Sequence, residues 1–124
     1  MQVINQELNY RYDALADVLY IYVIDSSDAE EAIELNPNMY LTIDEKDTPS
    51  AVELLDASKV LETTKFSLKR IQKIHLKIFI DKNNISVYCS LRVPVHNNEL
   101  LKSTSYTIVN DFNLPDIEAK LAMA

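Results

Sequence analysis

Several groups of side chains in this 124-residue chain are of types that do chemistry. Asp13 and Asp17 could be a carboxylate pair for acid–base work or for a cation. Acid–base work needs one member desolvated so that the two pKa values separate. A loop between strands is wet, so Asp13 reads better as a turn acceptor for nearby amides. Asp44, Glu45 and Asp47 suggest a calcium loop, but the alternating acids, the turn glycine and the distal bidentate glutamate of such loops are missing. They read as a solvated acidic loop. His75, Cys89 and His96 carry metal-ligating atoms, yet a zinc site needs three or four that converge. Cys89 falls among the apolar positions of its strand and His75 on the opposite side, so their faces diverge. A thiol in apolar surroundings holds little thiolate, which argues against a Cys–His nucleophile as well. Asp56 and Ser58 read as helix caps rather than hydrolytic groups. No catalytic residue, metal site or cofactor is assigned from these groups.

Two further groups read as surfaces. Pairing Tyr12 with Val18 across the first loop would set Tyr10 opposite Tyr20, and Tyr10, Tyr12, Tyr20 and Tyr22 would share one sheet face. Aromatic rings with polar tips are enriched at interfaces, so this face is a candidate interaction surface, unless the rest of the chain covers it. Lys65, Lys69, Arg70, Lys73 and Lys77 form a candidate basic ridge along a helix and the strand after it. Such a ridge can track phosphates, but no nucleic-acid motif accompanies it, and contact with acidic residues or plain solvation serves equally well.

These residues are positioned by elements that are short and mostly extended. Residues 8–12 form a candidate strand. Residues 18–24, β-branched and aromatic throughout, form a strong one with both faces apolar, expected to be central and covered on both sides. Residues 31–35, 39–43 and 51–55 follow, separated by turn residues such as Asn36-Pro37-Asn38, and complete a meander. A helix comes next, with Val60, Leu61, Thr64, Leu68 and Ile71 on one side, although Thr63-Thr64 interrupts it. Residues 73–80 and 85–93 alternate strictly around Asp81-Lys82-Asn83-Asn84, the cleanest hairpin signal in the chain. Pro94 ends that run or marks an edge. Residues 103–109 form another strand. The tail from Ile117 reads equally as strand or helix.

The sequence is therefore expected to be mainly β, with α+β the alternative. The expected architecture is an antiparallel β-meander with a connecting helix, followed by a β-hairpin-based second sheet. Residues 1–64 would hold the meander and 65–124 the helix and hairpin extension, packed as one unit. Glycine is absent. That excludes the P-loop, the dinucleotide fingerprint and the nucleophile elbow, which need residues without Cβ, and it leaves the turns to Asn, Asp, Ser and Pro. No apolar run approaches the roughly 20 residues of a membrane span. No secretory leader is evident, and a single cysteine suits a reducing compartment, so a cytoplasmic location is expected. Residues 1–64 carry 14 acids against 3 bases, and residues 65–124 carry 5 acids against 9 bases. Overall acidity makes nucleic acid an unfavoured partner, while the split lets the halves attract each other within or between chains.

The stretch Tyr12-Asp13-Ala14-Leu15-Ala16-Asp17-Val18-Leu19-Tyr20-Ile21, followed by Leu54-Leu55-Asp56-Ala57-Ser58, resembles the domain of unknown function family 2283. The resemblance covers about residues 8–62. It departs at Leu54, where isoleucine is usual, and at Thr48-Pro49-Ser50, where a glycine is missing. It implies a compact meander closed by a short helix and no particular activity. It also implies an antitoxin or adaptor role beside toxin-like partners. The expected function is a non-enzymatic protein-interaction module, docking through the tyrosine face or a sheet edge onto a protein partner or a second copy as a homodimer. The alternatives are an antitoxin-like or nucleic-acid-contacting regulator, and an enzyme with an unfamiliar carboxylate site.

Overall fold

Strict apolar–polar alternation makes strands whose two faces differ, and burying the apolar face drives them into a sheet that must curl on itself. In the computed structural model, which describes residues 1–26 and 29–123, the strands are β1 (Gln2–Asp13), β2 (Val18–Val23), β3 (Ala29–Asn36), β4 (Met39–Asp44) and β5 (Pro49–Leu55). Two helices of one turn each follow, α1 (Ala57–Val60) and α2 (Lys65–Leu68). Then come β6 (Lys73–Ile80), β7 (Asn84–Val95), β8 (Asn98–Val109) and β9 (Ile117–Met123). All the strands join one sheet in the order β3-β4-β5-β2-β1-β9-β6-β7-β8. Among the described residues only the β1–β9 pairing is parallel.

The mainly β, mostly antiparallel architecture and the β6–β7 hairpin agree with the sequence; the first five strands adjoin one another with β2 between β1 and β5 and β3 at the edge. The second half, however, does not form a second sheet. β9 pairs with β1 from Gln2–Ile117 to Leu8–Met123 and with β6 from His75–Ala122 to Ile80–Ile117, which fuses the hairpin to the first five strands. The tail that read equally as helix or strand is thus a strand in the middle of the sheet. Its alternating Ile117, Ala119 and Leu121 are buried and join the same core as Leu19, Ile21, Leu41, Leu54, Ile74, Leu76, Ile78, Val87 and Leu91. The curl brings the edge strands β3 and β8 near each other without a shared ladder.

β2 is central, between β1 and β5, but only one of its faces is covered. Leu19, Ile21 and Val23 are buried, whereas Val18, Tyr20 and Tyr22 are half-buried. The two helices are too short to roof the outer face. The expected single helix is split at Glu62, whose φ of 51° takes the chain out of the right-handed region. Thr64 caps α2 by accepting the Ser67 N–H at 3.0 Å, and Ser67 donates its hydroxyl to the Pro94 carbonyl at 2.8 Å. Pro94 lies inside β7, beyond the end of β6, so no strand there needs its missing N–H.

Without glycine, left-handed turns fall to other residues. Of the eight described residues with positive φ, six are Asp or Asn, namely Asp17, Asp25, Asp47, Asp56, Asn97 and Asn113. Asp and Asn tolerate the left-handed region better than other side chains, which lowers the cost of these turns. Glu62 and His96 have no such compensation.

Candidate functional site

The two stretches that carry the family resemblance meet at one carboxylate. Asp17, at φ 56°, ends the β1–β2 loop and is 6% exposed. Tyr12 donates its hydroxyl to Asp17 Oδ1 at 2.6 Å. From α1, just past β5, Ser58 donates its N–H to the same oxygen at 3.0 Å and its hydroxyl to Oδ2 at 2.6 Å. The Ala57 N–H adds a bond to the Asp17 carbonyl at 3.0 Å. Burial works to raise the Asp17 pKa, but the bonds from Ser58 and Tyr12 overcome it and hold the group below the usual carboxylate range. The Tyr12 phenol is pushed up by burial and by the adjacent Asp17 charge. An ionised acid surrounded by donors, paired with a phenol that stays protonated, is a structural clasp.

The clasp corrects the capping reading. Asp56 adopts φ 51° and makes no side-chain cap, while Ser58 serves Asp17. Asp13 is the turn acceptor expected, with its Oδ1 receiving the Leu15 and Ala16 amides at 3.0 and 3.1 Å. Asp44 is not solvated. It is 8% exposed and accepts the Lys46 and Thr48 amides at 2.8 and 3.0 Å, which fixes its loop.

The expected cluster of four tyrosines does not exist. Tyr12 lies opposite Leu19 and Tyr10 opposite Ile21, one residue away from the register expected. A one-residue slip exchanges the faces of a strand. Tyr10 and Tyr12 therefore pack against the core, Tyr10 reaching the Ile71 carbonyl at 3.4 Å. Tyr20 and Tyr22 stay on the outer face, stacked with ring centroids 5.6 Å apart and planes 23° from parallel. Arg11, opposite Tyr20, holds its guanidinium 5.1 and 5.5 Å from the two ring centres. The row continues through Glu53 to Tyr40, which donates to Glu34 at 2.8 Å. Arg11 and Tyr40 were missed by the sequence reading, although their positions opposite Tyr20 and Glu53 follow once the register is known.

The basic ridge is also redistributed. Lys65 lies in α2, Lys69 and Arg70 follow it, and Arg70 stands 5.2 Å from the Phe66 ring centre. Lys73 and Lys77 lie on the outer face of β6. There Lys73 faces Arg92 of β7, and Lys77 faces Lys120 of β9. Lys120 reaches Glu118 at 3.5 Å. His75 is exposed on that same outer face, Cys89 is fully buried on the inner one, and His96 sits in the β7–β8 turn. Among the described residues no three metal-ligating side chains converge. Burial pushes the Cys89 thiol up to about 12. An open polar cleft of about 570 Å³ lies between residues 2–6 and the Asp44–Pro49 loop, and a more apolar one of about 540 Å³ lies between α2 and the β7–β8 turn. Among the described residues no helix is long and apolar enough to cross a membrane.

The antiparallel first half of the sheet, the clasp and the outer tyrosines define a sheet protein whose loop motif closes on the turn after β5. Residues 9–58 match the model of the family described as Protein of unknown function (DUF2283), a span that opens just before Tyr12 and ends at Ser58. The remaining residues match no family, and no curated protein or solved structure matches the chain.

Proposed function

We propose that this protein is a non-enzymatic protein-interaction module that works in the cytoplasm and binds a basic protein partner through the outer face of β1, β2, β5 and β4. The observation that carries this reading is the stacked Tyr20–Tyr22 pair with Arg11 across both rings, standing open on the outer face. Tyrosine and arginine are the residue types that concentrate binding energy at interfaces. Here they are held rigid on strands, so little side-chain freedom is lost on docking. Glu34 and Glu53 frame the platform, which favours a basic surface opposite. Self-association as a homodimer is part of the same reading. The test is affinity capture with the native chain, followed by the Tyr20→Ser/Tyr22→Ser variant. A partner with a basic contact surface, lost with the tyrosines and weakened by salt, supports the reading. A partner retained unchanged by that variant refutes it.

A second reading, an antitoxin-like or nucleic-acid-contacting regulator, draws on the outer face of β6, where Lys77–Lys120 and Lys73–Arg92 set like charges directly opposite each other. Such pairs are destabilising unless an anion lies between them. Replacing Lys73 and Lys77 with Glu should abolish any retardation of nucleic acid if this surface binds it.

A further inference from the structure

The two edges of the sheet are built differently. β3 is short, carries Glu31 and Glu34, and is broken by register shifts between Ala29 and Glu31 and between Glu34 and Asn36. Charges and bulges of this kind protect an edge against pairing with another chain. β8 has no bulge, and although the curl brings β3 near it, among the described residues no ladder joins the two. Its twelve residues pair with β7 without a shift from Asn84–Val109 to Val95–Asn98, and none of them is buried.

The direction of its backbone groups follows from the turns. His96 and Asn97 have φ of 48° and 67°, a two-residue turn that makes Val95–Asn98 a hydrogen-bonded pair. The Asn110 N–H bonds the Asn83 carbonyl at 2.9 Å, which fixes the same parity at the other end. Even-numbered residues of β8 therefore bond β7. The amides and carbonyls of Leu101, Ser103, Ser105 and Thr107 point outward, and among the described residues nothing bonds them.

We propose that β8 pairs antiparallel with β8 of a second copy about a two-fold axis at Thr104, joining two sheets into one. This rests on the homodimer of the proposed function and assigns its surface. The register is chosen by chemistry. Centring on Thr104 sets Leu100 against Ile108, Lys102 against Tyr106 and Thr104 against itself on the inner face. On the outer face it sets Leu101 against Thr107 and Ser103 against Ser105. No like charges meet, and the hydroxyl pairs are of the kind that stabilises neighbouring strands. Moving the axis to Lys102 would oppose two ammonium groups. Residues 99–109 would form the ladder, about 37 Å long at roughly 3.4 Å per residue. With a sheet about 10 Å thick, it would bury on the order of 700 Å² in total, less than the roughly 1,000 Å² of a stable interface, so the pairing is a weak and transient one. The dimer is therefore concentration-dependent.

Sedimentation of the intact chain from micromolar to near-millimolar concentration is expected to show this monomer–dimer equilibrium. Ser105→Pro removes an outward N–H that the monomer does not use, which an edge strand tolerates, and should weaken the dimer about tenfold or more. Thr104→Cys should give a disulfide-linked dimer under mild oxidation, since facing residues of a non-hydrogen-bonded pair lie about 4.5 Å apart. Lys102→Cys should not, its two copies lying about 14 Å apart. Because Cys89 lies directly opposite Thr104 in the β7–β8 ladder, both cysteine variants are made in a Cys89→Ala background. A dimer untouched by Ser105→Pro, or cross-linking by Lys102→Cys in place of Thr104→Cys, overturns the β8 assignment and leaves the homodimer standing. A strict monomer with exchange-protected β8 amides overturns both, with β3 as the covering strand. The tyrosine-face reading is tested separately by its own variant.

Discussion

Replacing Asp17 with alanine removes the acceptor of three hydrogen bonds, from Tyr12 at 2.6 Å and from Ser58 at 2.6 and 3.0 Å. At a net 1–1.5 kcal/mol each, the bonds account for about 3–4 kcal/mol. A residue without an Asx side chain at φ 56° adds about 1 kcal/mol. The expected loss is therefore about 4–5 kcal/mol, a large share of the 5–15 kcal/mol typical of a domain. For a chain of this size that lowers the melting temperature by roughly 12–20 °C. Asp17→Asn keeps the left-handed preference and one acceptor oxygen, so about 2 kcal/mol is expected. Tyr12→Phe and Ser58→Ala should each cost about 1–1.5 kcal/mol, and because they share one carboxylate the double variant should not be additive. Denaturant unfolding followed by circular dichroism reads all four. The pH dependence is a further signature. A carboxyl held below its unfolded value contributes stability above the unfolded pKa near 3.9, and that contribution is lost as pH falls through the lower folded pKa. The native chain should therefore lose more stability below about pH 4 than Asp17→Asn does. Asp17→Ala within about 1 kcal/mol of the native chain would refute the clasp.

Other expectations are separately testable. Glu62→Gly relieves φ 51° at a position with no Asx compensation, and should raise stability by about 0.5–1 kcal/mol after the entropy of glycine is subtracted; a lower unfolding midpoint would contradict it. Cys89, fully buried and pushed up to about 12, should resist thiol reagents until the chain opens. Labelling of the native protein as fast as of the unfolded chain would show that site to be open. Cys89→Ser, which buries a hydroxyl among aliphatic side chains, should cost about 1–3 kcal/mol by the same unfolding assay.

What the sequence made legible were local features. The β6–β7 hairpin is plain because Ile74, Leu76, Ile78 and Ile80 alternate without a fault, and the Asp81 carboxylate organises the turn by accepting the Asn83 and Asn84 amides at 2.8 Å. The tyrosine surface was half-legible. Its residue types were visible, but placing Asp13 in the loop rather than opposite Val18 shifted the register by one residue and put Tyr10 and Tyr12 on the wrong face. The clasp was hidden for a different reason. Asp17 and Ser58 are 41 residues apart, and a short acid beside a helix start looks like a cap whether or not it is one. The second sheet was inferred because a parallel β1–β9 pairing leaves no local mark on either strand.

Position of β9 in the sheet bears on how the molecule assembles. Five of the eight strand neighbours are consecutive in the chain, and with the β2–β5 pairing they build two separately wired blocks, β3-β4-β5-β2-β1 and β6-β7-β8. Each block can nucleate from short-range turns, but their union waits for a keystone that must find both flanks at once. Distant pairings of this type set slow folding rates. Until the keystone seats, β1 and β6 display bare backbone to any neighbouring chain. The step at greatest risk of misassembly is thus the seating of seven residues, Ile117–Met123, rather than the formation of either block.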